Sequence, residues 1–472
     1  MKQSFRINLS ATTIQLLTNQ LFSLVVFYFL SKGLTKNDFG ELNWTLAVFL
    51  ALFSFLSFGI DQLIVKKIAE GKNKAEWLAL HFFHVLVSGF LLYFVLIGLT
   101  ILFPDFFRRH ELLLLIGAGK LFLYLSTPFK AIASGTENFK AVLSMSVSSA
   151  IIKGLGILWL YYANEIHLPF IVLVFIVADC SELLLGLYLT RNTIGTEFSW
   201  KISISNYLKL VREAFPQIGI VLFSSALARI DWLLIGLFLT ASNLAEYSFA
   251  YKAFEVSSLP LLAIAPLLVP YFTRQLRGGK KLDSDENVHL LLRMEMVIAC
   301  LASLCLNLLW NPLVDRLTAG KYGEVNTTTI FLLSVSLPVL YLNNFLWSIH
   351  FASGRLRFIF FSFALCFAAN LIGNLCLIPT LGNNGAALAY LLSLAIQTVI
   401  YAAGLKGKVK LDWQPFFICS LCAVLSGTLS KYSSLTLWWI VPICVTCYFF
   451  LLYCTIQLRK TDWPNLKRAM NL

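Results

Sequence analysis

Residues 78–103 read LALHFFHVLVSGFLLYFVLIGLTILF, a run without Asp, Glu, Lys or Arg. About 20 apolar residues in a helix cross the hydrocarbon core of a bilayer, so this stretch is long enough to span one. Outward from it, comparable segments lie at approximately 11–31, 41–60, 112–134, 141–163, 168–190, 213–239, 243–272, 288–311, 327–352, 357–378, 384–405, 413–430 and 436–457. The expectation is an all-α polytopic membrane protein with about 14 transmembrane helices.

Composition points the same way. Of 472 residues, 58% are hydrophobic and 13% charged, and the mean hydropathy is +0.77. Soluble globules carry about 25% charged residues to cover their surface. Half that proportion excludes soluble enzymes, nucleic-acid binders and disordered scaffolds. The net charge of +13 would suit a nucleic-acid partner if it formed a patch. Instead the basic residues are dispersed in short loops, as orientation signals are. With the N-terminus inside, about 26 Lys/Arg fall in cytoplasmic loops and tails and about 7 outside, which is the positive-inside asymmetry. Both termini are expected in the cytoplasm. Most of the ten cysteines lie in apolar runs and read as small apolar residues.

The first segment begins with Lys2 and Arg6 but shows no small-residue cleavage site before Lys32, so it reads as a span and not a signal peptide. It is unusually polar. Asn8, Thr12, Gln15, Asn19 and Ser23 recur at helical spacing and share one face, which must turn toward protein or a wet cavity. The longest polar stretches, roughly 191–212 and 274–287, fall on the cytoplasmic side. The first lies near the middle of the first twelve spans, giving three expected parts: a six-helix lobe at 1–195, a second at 196–410, and a helix pair with a cytoplasmic tail at 411–472. Paired halves are a common transporter plan, with the substrate at their interface.

Two motifs are decoys. Ile116-Gly117-Ala118-Gly119-Lys120 resembles a phosphate-binding loop, yet Leu114 stands where its first glycine belongs and Leu121 where its hydroxyl belongs. Cys419/Cys422 and Cys444/Cys447 are spaced like halves of a zinc site but lack histidines or carboxylates nearby. No metal and no cofactor are expected, apart from a coupling proton or sodium ion. No large external catalytic loop is present, so no enzyme is expected.

Ionisable residues in mid-span are costly, and so are functional candidates. They are Lys120, Lys153, Asp179 with Glu182, Arg229 with Asp231, and Lys252 with Glu255. Adjacent antiparallel helices rise equally per residue, so level positions share a constant sum. Turns centred near 137 and 166 set Lys120, Lys153 and Asp179 at one level. A turn near 242 sets Asp231 opposite Lys252 and Arg229 opposite Glu255. One reading is salt bridges that only join hairpins. Against it, Arg229 and Asp231 are two residues apart and cannot share a face. Asp179 and Glu182 do share one, and adjacent carboxylates suit a cation or a held proton.

Four stretches resemble one family. Residues 31–40, SKGLTKNDFG, are similar to the first-helix exit of polysaccharide-transporter proteins, with lysine at 32 where arginine is common. Residues 58–62, FGIDQ, followed by Lys66, Lys67 and Glu70, resemble the second-helix exit. Arg229-Ile230-Asp231 through Glu246-Tyr247-Ser248-Phe249-Ala250-Tyr251-Lys252 and Glu255 resemble the helix 7–8 pattern. Residues 370–393, NLIGNLCLIPTLGNNGAALAYLLS, resemble the run between helices 11 and 12. The chain therefore resembles the oligosaccharide flippase (Wzx-like) branch of the multidrug/oligosaccharidyl-lipid/polysaccharide (MOP) superfamily.

That resemblance implies a V-shaped transporter of two six-helix bundles plus a C-terminal pair. It also implies passage of undecaprenyl-pyrophosphate-linked sugar units across the bacterial cytoplasmic membrane. Lys120, Lys153, Arg229, Lys252 and Lys32 are then expected to supply positive potential for the pyrophosphate, and Gln15 and Asn19 to meet sugar hydroxyls. Asp179, Glu182, Asp231 and Glu255 are expected in ion coupling. The expected partners are the lipid-linked oligosaccharide, membrane lipids and other polysaccharide-assembly proteins, with the chain a monomer. A drug/cation antiporter on the same fold, a lipid II flippase and a membrane enzyme of glycan assembly stay open as alternatives.

Overall fold

A computed structural model describes residues 2–71, 74–194, 203–214, 229–277, 286–405, 412–431, 436–459 and 462. The side chains of Asn8 and Thr12 and most of the expected span at 213–239 lie outside the described residues. The described structure is helical, and no strand occurs in it.

The chain forms two compact units, Met1–Arg229 and Ile230–Leu472. The first holds α1 (Lys2–Gly33), α2 (Lys36–Leu56), α3 (Ile60–Ala69), α4 (Lys74–Leu102), α5 (Pro104–Arg109), α6 (Leu112–Gly135), α7 (Phe139–Tyr162) and α8 (Leu168–Ile194), then α9 over 204–214. The second holds α10 (Ile230–Phe238), α11 (Ala241–Ser257), α12 (Leu259–Arg277), α13 (Glu286–Thr318), α14 (Thr327–Ala352), α15 (Leu356–Leu381), α16 (Asn383–Gly404), α17 (Gln414–Thr428) and α18 (Leu437–Cys454).

Ten of the described helices are long and apolar enough to cross a membrane: α2, α4, α6, α7, α8, α13, α14, α15, α16 and α18. The protein is thus a multi-pass membrane protein. The count of fourteen remains an expectation. In particular, the continuous segment read at 243–272 is two helices, with a break at Ser258. Pro260, without an N–H to bond back, sits in the first turn of α12, where that missing donor costs least. Pro338, by contrast, lies inside an unbroken α14.

Lipid-facing surface is plainest on α4, the opening sequence run. It exposes Val87, Phe90, Leu91, Phe94, Val95, Ile97, Ile101 and Leu102, a face that water would not tolerate and lipid does. Its other side buries Leu78, Leu80, His81, His84 and Val85. Trp438 and Trp439 stand exposed at the start of α18, the level where aromatic rings favour the membrane–water boundary.

In the first unit α6 packs on α8, α4 and α3, while α7 packs on α1 and α8. Its core gathers Ile60, Ile64 and Ile68 of α3 with Leu78 and Leu80 of α4, Phe129 and Ile132 of α6, and Met145 of α7. Helix α9 closes this core with Leu210 and Ala214. The polar groups of α9 bind the same unit: Tyr207 Oη to His84 Nδ1 at 2.9 Å, Asn206 Nδ2 donating to Glu76 at 2.6 Å, and Glu213 to Lys67 at 2.6 Å.

In the second unit α14 packs on α12, α13 and α16, and α17 and α18 pack on α13 and on each other. The C-terminal pair therefore shares a core with α13 and α14, built from Met296, Cys300, Leu304, Tyr341, Phe345, Cys419, Cys444 and Tyr448. The ten cysteines are free thiols. Helices α15 and α16 form a close hairpin. At its turn Gly385 lies against the backbone carbonyl of Leu377, where any side chain would collide. That contact gives a physical reason for Gly385, while Gly382 has a φ of 60°, in the region that favours glycine.

Candidate functional site

The mid-span charges of the first unit converge on one carboxylate. Asp179 of α8 is fully buried and accepts from Lys120 Nζ of α6 at 2.8 Å and from Lys153 Nζ of α7 at 2.5 Å. Three helices are thus tied at one point. Approach of α6 to α8 depends on Gly119, beside Lys120: a Cβ there would stand 2.9 Å from Ile176 Cγ1 and 3.3 Å from its Cα, so only a small residue fits. The ring of Phe175, one turn before Asp179, lies 5.7 Å from Lys120 Nζ and 5.6 Å from Lys153 Nζ, within range of a cation–π attraction.

One carboxylate shared by two ammoniums leaves a unit positive charge. The acid side chain is 0% accessible, while Lys120 and Lys153 keep 12% and 20% of theirs. The cations are therefore the more accessible part of the cluster. Glu182, one turn along α8 from Asp179, is salt-bridged to Lys130 of α6. Both acidic residues of the expected ion-coupling pair are occupied by lysines. Register along the two hairpins brought out Lys120, Lys153 and Asp179; Lys130 was missed. It lies in α6 beyond the position that the two hairpin turns set level with Glu182, so the level rule does not point to it.

The polar face of α1 meets α7. Gln15 Nε2 donates to Ser146 Oγ at 3.2 Å, whereas the buried Asn19 Oδ1 has no hydrogen-bond partner among the described residues. At the end of α1, Lys32 is exposed, with Nζ 5.9 Å from the Tyr28 ring and 5.8 Å from the Tyr161 ring. Hydrogen bonding to Tyr161, and then the Tyr28 charge, raises its pKa above the ordinary lysine value.

In the second unit the candidates are arranged differently. Arg229, the last residue of the first unit, is partly buried at the turn before α10. Asp231 is buried in the first turn of α10, where the free amides and the helix dipole favour an anion. It accepts from the Trp232 backbone N–H at 2.9 Å and from Tyr247 Oη at 2.5 Å. Lys252 pairs along its own helix with Glu255 at 3.0 Å. Sequence reading also missed Glu295 of α13, which is 1% accessible and has no hydrogen-bond partner at either carboxyl oxygen among the described residues.

Residues 6–275 match the model of the polysaccharide biosynthesis protein family. No curated protein matches the sequence. Among solved structures, the lipid II flippase MurJ in an inward closed conformation is similar with a TM-score of 0.75 and 14% identity, covering 94% of this chain and 98% of that one. An inward-facing multidrug resistance MATE family transporter of the MOP superfamily is similar with a TM-score of 0.62 and 13% identity, covering 91% and 100%. A MOP superfamily transporter from Pyrococcus furiosus gives 0.57 and 13%, covering 91% and 96%. The fold is that of these flippases and transporters, and the match over more than half the sequence places this chain in the polysaccharide biosynthesis protein family.

Proposed function

We propose that this protein is a flippase that moves undecaprenyl-pyrophosphate-linked oligosaccharide units across the bacterial cytoplasmic membrane by alternating access. The observation that carries this reading is the cation surplus at Lys120, Lys153 and Asp179. A carboxylate behind two ammoniums holds them in place within an apolar bundle and still leaves one positive charge for an anion. A pyrophosphate brings that anion, and ammonium groups bind it through charge-assisted hydrogen bonds. Gln15 and Asn19 supply polar contacts for the sugar, and Lys32 a further cation at the end of α1. Arg229 and Lys252 act in the same sense from their own helices. Transport is driven by an ion gradient or the membrane potential, and both termini lie in the cytoplasm.

A drug/cation antiporter is the main alternative, and it needs a carboxylate open to a cationic substrate. Here Asp179 and Glu182 are each held by lysine, which weighs against it. The family's polysaccharide role favours a sugar-linked lipid, and the similarity to the lipid II flippase MurJ makes lipid II the main competitor within that class. The test is transport in proteoliposomes given undecaprenyl-pyrophosphate-linked oligosaccharide, lipid II or a cationic dye. The expected result is translocation of the oligosaccharide lipid that falls sharply, per folded molecule, in Lys153→Met protein, which keeps Lys120 on Asp179. Dye transport without lipid translocation would overturn the reading.

A further inference from the structure

Glu295 lies in the part of α13 that builds the core of the second unit, flanked by Met294 and Met296. It is 1% accessible, and neither carboxyl oxygen has a hydrogen-bond partner among the described residues. The nearest cation along the helix, Arg293, is bound to Asp462 at 2.5 Å. Among the described residues, the apolar neighbours packed here bring titratable side chains of their own: Tyr341 from α14, Cys419 and Cys422 from α17, and Cys444 and Tyr448 from α18. Helix α11 meets α13 at its other end, through Phe249 and Trp310 with ring centroids 6.1 Å apart. Tyr448 Oη already donates to the Val297 carbonyl at 3.0 Å. Tyr341 lies within electrostatic reach of Glu295, and its hydroxyl has the Leu261 backbone as a hydrogen-bonding neighbour.

A carboxylate in such surroundings has neither a counter-charge nor a donor, and burial of an unpaired charge is the most expensive state a side chain can take. A neutral acid is tolerated there. Even so, a carboxyl group without a hydrogen-bond partner in an apolar core remains unfavourable, and admitting water would relieve it. We propose that Glu295 is a proton-binding site of the second unit: it holds one proton while α13 and α14 are packed and exchanges it only when that packing opens. The site does not depend on the identity of the transported molecule.

Infrared spectroscopy of the full chain in lipid nanodiscs at neutral pH tests this directly. The expected spectrum has a protonated carboxylic-acid band that disappears in Glu295→Gln and survives in Glu324→Gln, a substitution at an exposed glutamate. In deuterium oxide that band should shift slowly, because exchange waits on opening. A Glu295 carboxylate band, or a shift complete within mixing, would overturn the proposal. Linkage supplies a second readout. The packed state holds a proton that an unfolded glutamate has given up at neutral pH, so raising the pH favours unfolding. The unfolding equilibrium of the wild type should therefore rise by up to tenfold per pH unit relative to Glu295→Gln. Equal pH dependence would contradict the site. If Glu295→Gln and Glu295→Met both fail to accumulate while Glu295→Asp accumulates normally, the ionised form is the one the fold requires, and the proposal falls.

Discussion

The mid-span charged candidates of the two units are held in different ways. In the first, opposite charges meet between helices: Lys120 and Lys153 come from α6 and α7 to Asp179 of α8, and Lys130 of α6 reaches Glu182. In the second, Lys252 meets Glu255 on its own helix and Asp231 takes a tyrosine hydroxyl and a backbone amide. Charges shared between helices fix how those helices pack. A pair within one helix constrains only that helix. The first unit therefore carries a net cationic cluster that ties three helices together, while the Lys252–Glu255 pair of the second is less tied to its fold.

This contrast breaks or sharpens at single residues. The largest effect should come from Asp179→Ala, which leaves two ammoniums in a buried site without their anion. Loss of one partner from a buried pair costs about 3–5 kcal/mol, so the variant should nearly vanish from membranes. Asp179→Ala with Lys120→Met should recover part of that abundance, measured by fluorescence-detected size exclusion. Next in size is Tyr247→Phe, which removes one donor from buried Asp231. A hydrogen bond to a charged group contributes about 1.5–3 kcal/mol, and a thermal melt in detergent should show a clear but non-lethal loss. Smallest should be Lys252→Met, since a partly exposed pair three residues apart on one helix contributes about 0.2–0.5 kcal/mol. A Lys252→Met melt as damaging as that of Asp179→Ala would erase the distinction between the units.

How far sequence alone reached follows the same division. Spans such as 78–103 declare themselves through hydropathy, and the level setting of Lys120, Lys153 and Asp179 follows from helix rise across two tight hairpins. Both rest on continuous helices joined by short turns. Where the chain departs from that condition, sequence reading loses register. The break at Ser258, next to Pro260, divides what hydropathy joins as 243–272. Lys130 finds Glu182 from beyond the position that the two turns set level with it, through the reach of a long side chain. Glu295 sits close to Arg293, and a sequence does not reveal that Arg293 is spent on Asp462 169 residues away. Most of the expected span at 213–239 lies outside the described residues, so the setting of Arg229 against Glu255 stays an expectation.

The central claim is that the surplus positive charge at Asp179 serves the lipid's pyrophosphate and not only the packing of three helices. Exchanging the charges of Lys153 and Asp179, as Lys153→Asp with Asp179→Lys, keeps an opposite-charge pair between α7 and α8 and leaves the net charge unchanged. It moves a cation from the accessible position to the buried one. The decisive quantity is translocation of undecaprenyl-pyrophosphate-linked oligosaccharide per folded molecule in proteoliposomes. The account predicts that the exchanged protein accumulates far better than either single variant yet translocates at least about tenfold more slowly than wild type, a loss equivalent to about 1.4 kcal/mol. Translocation at the wild-type rate per folded molecule would contradict it and leave the cluster a structural tie.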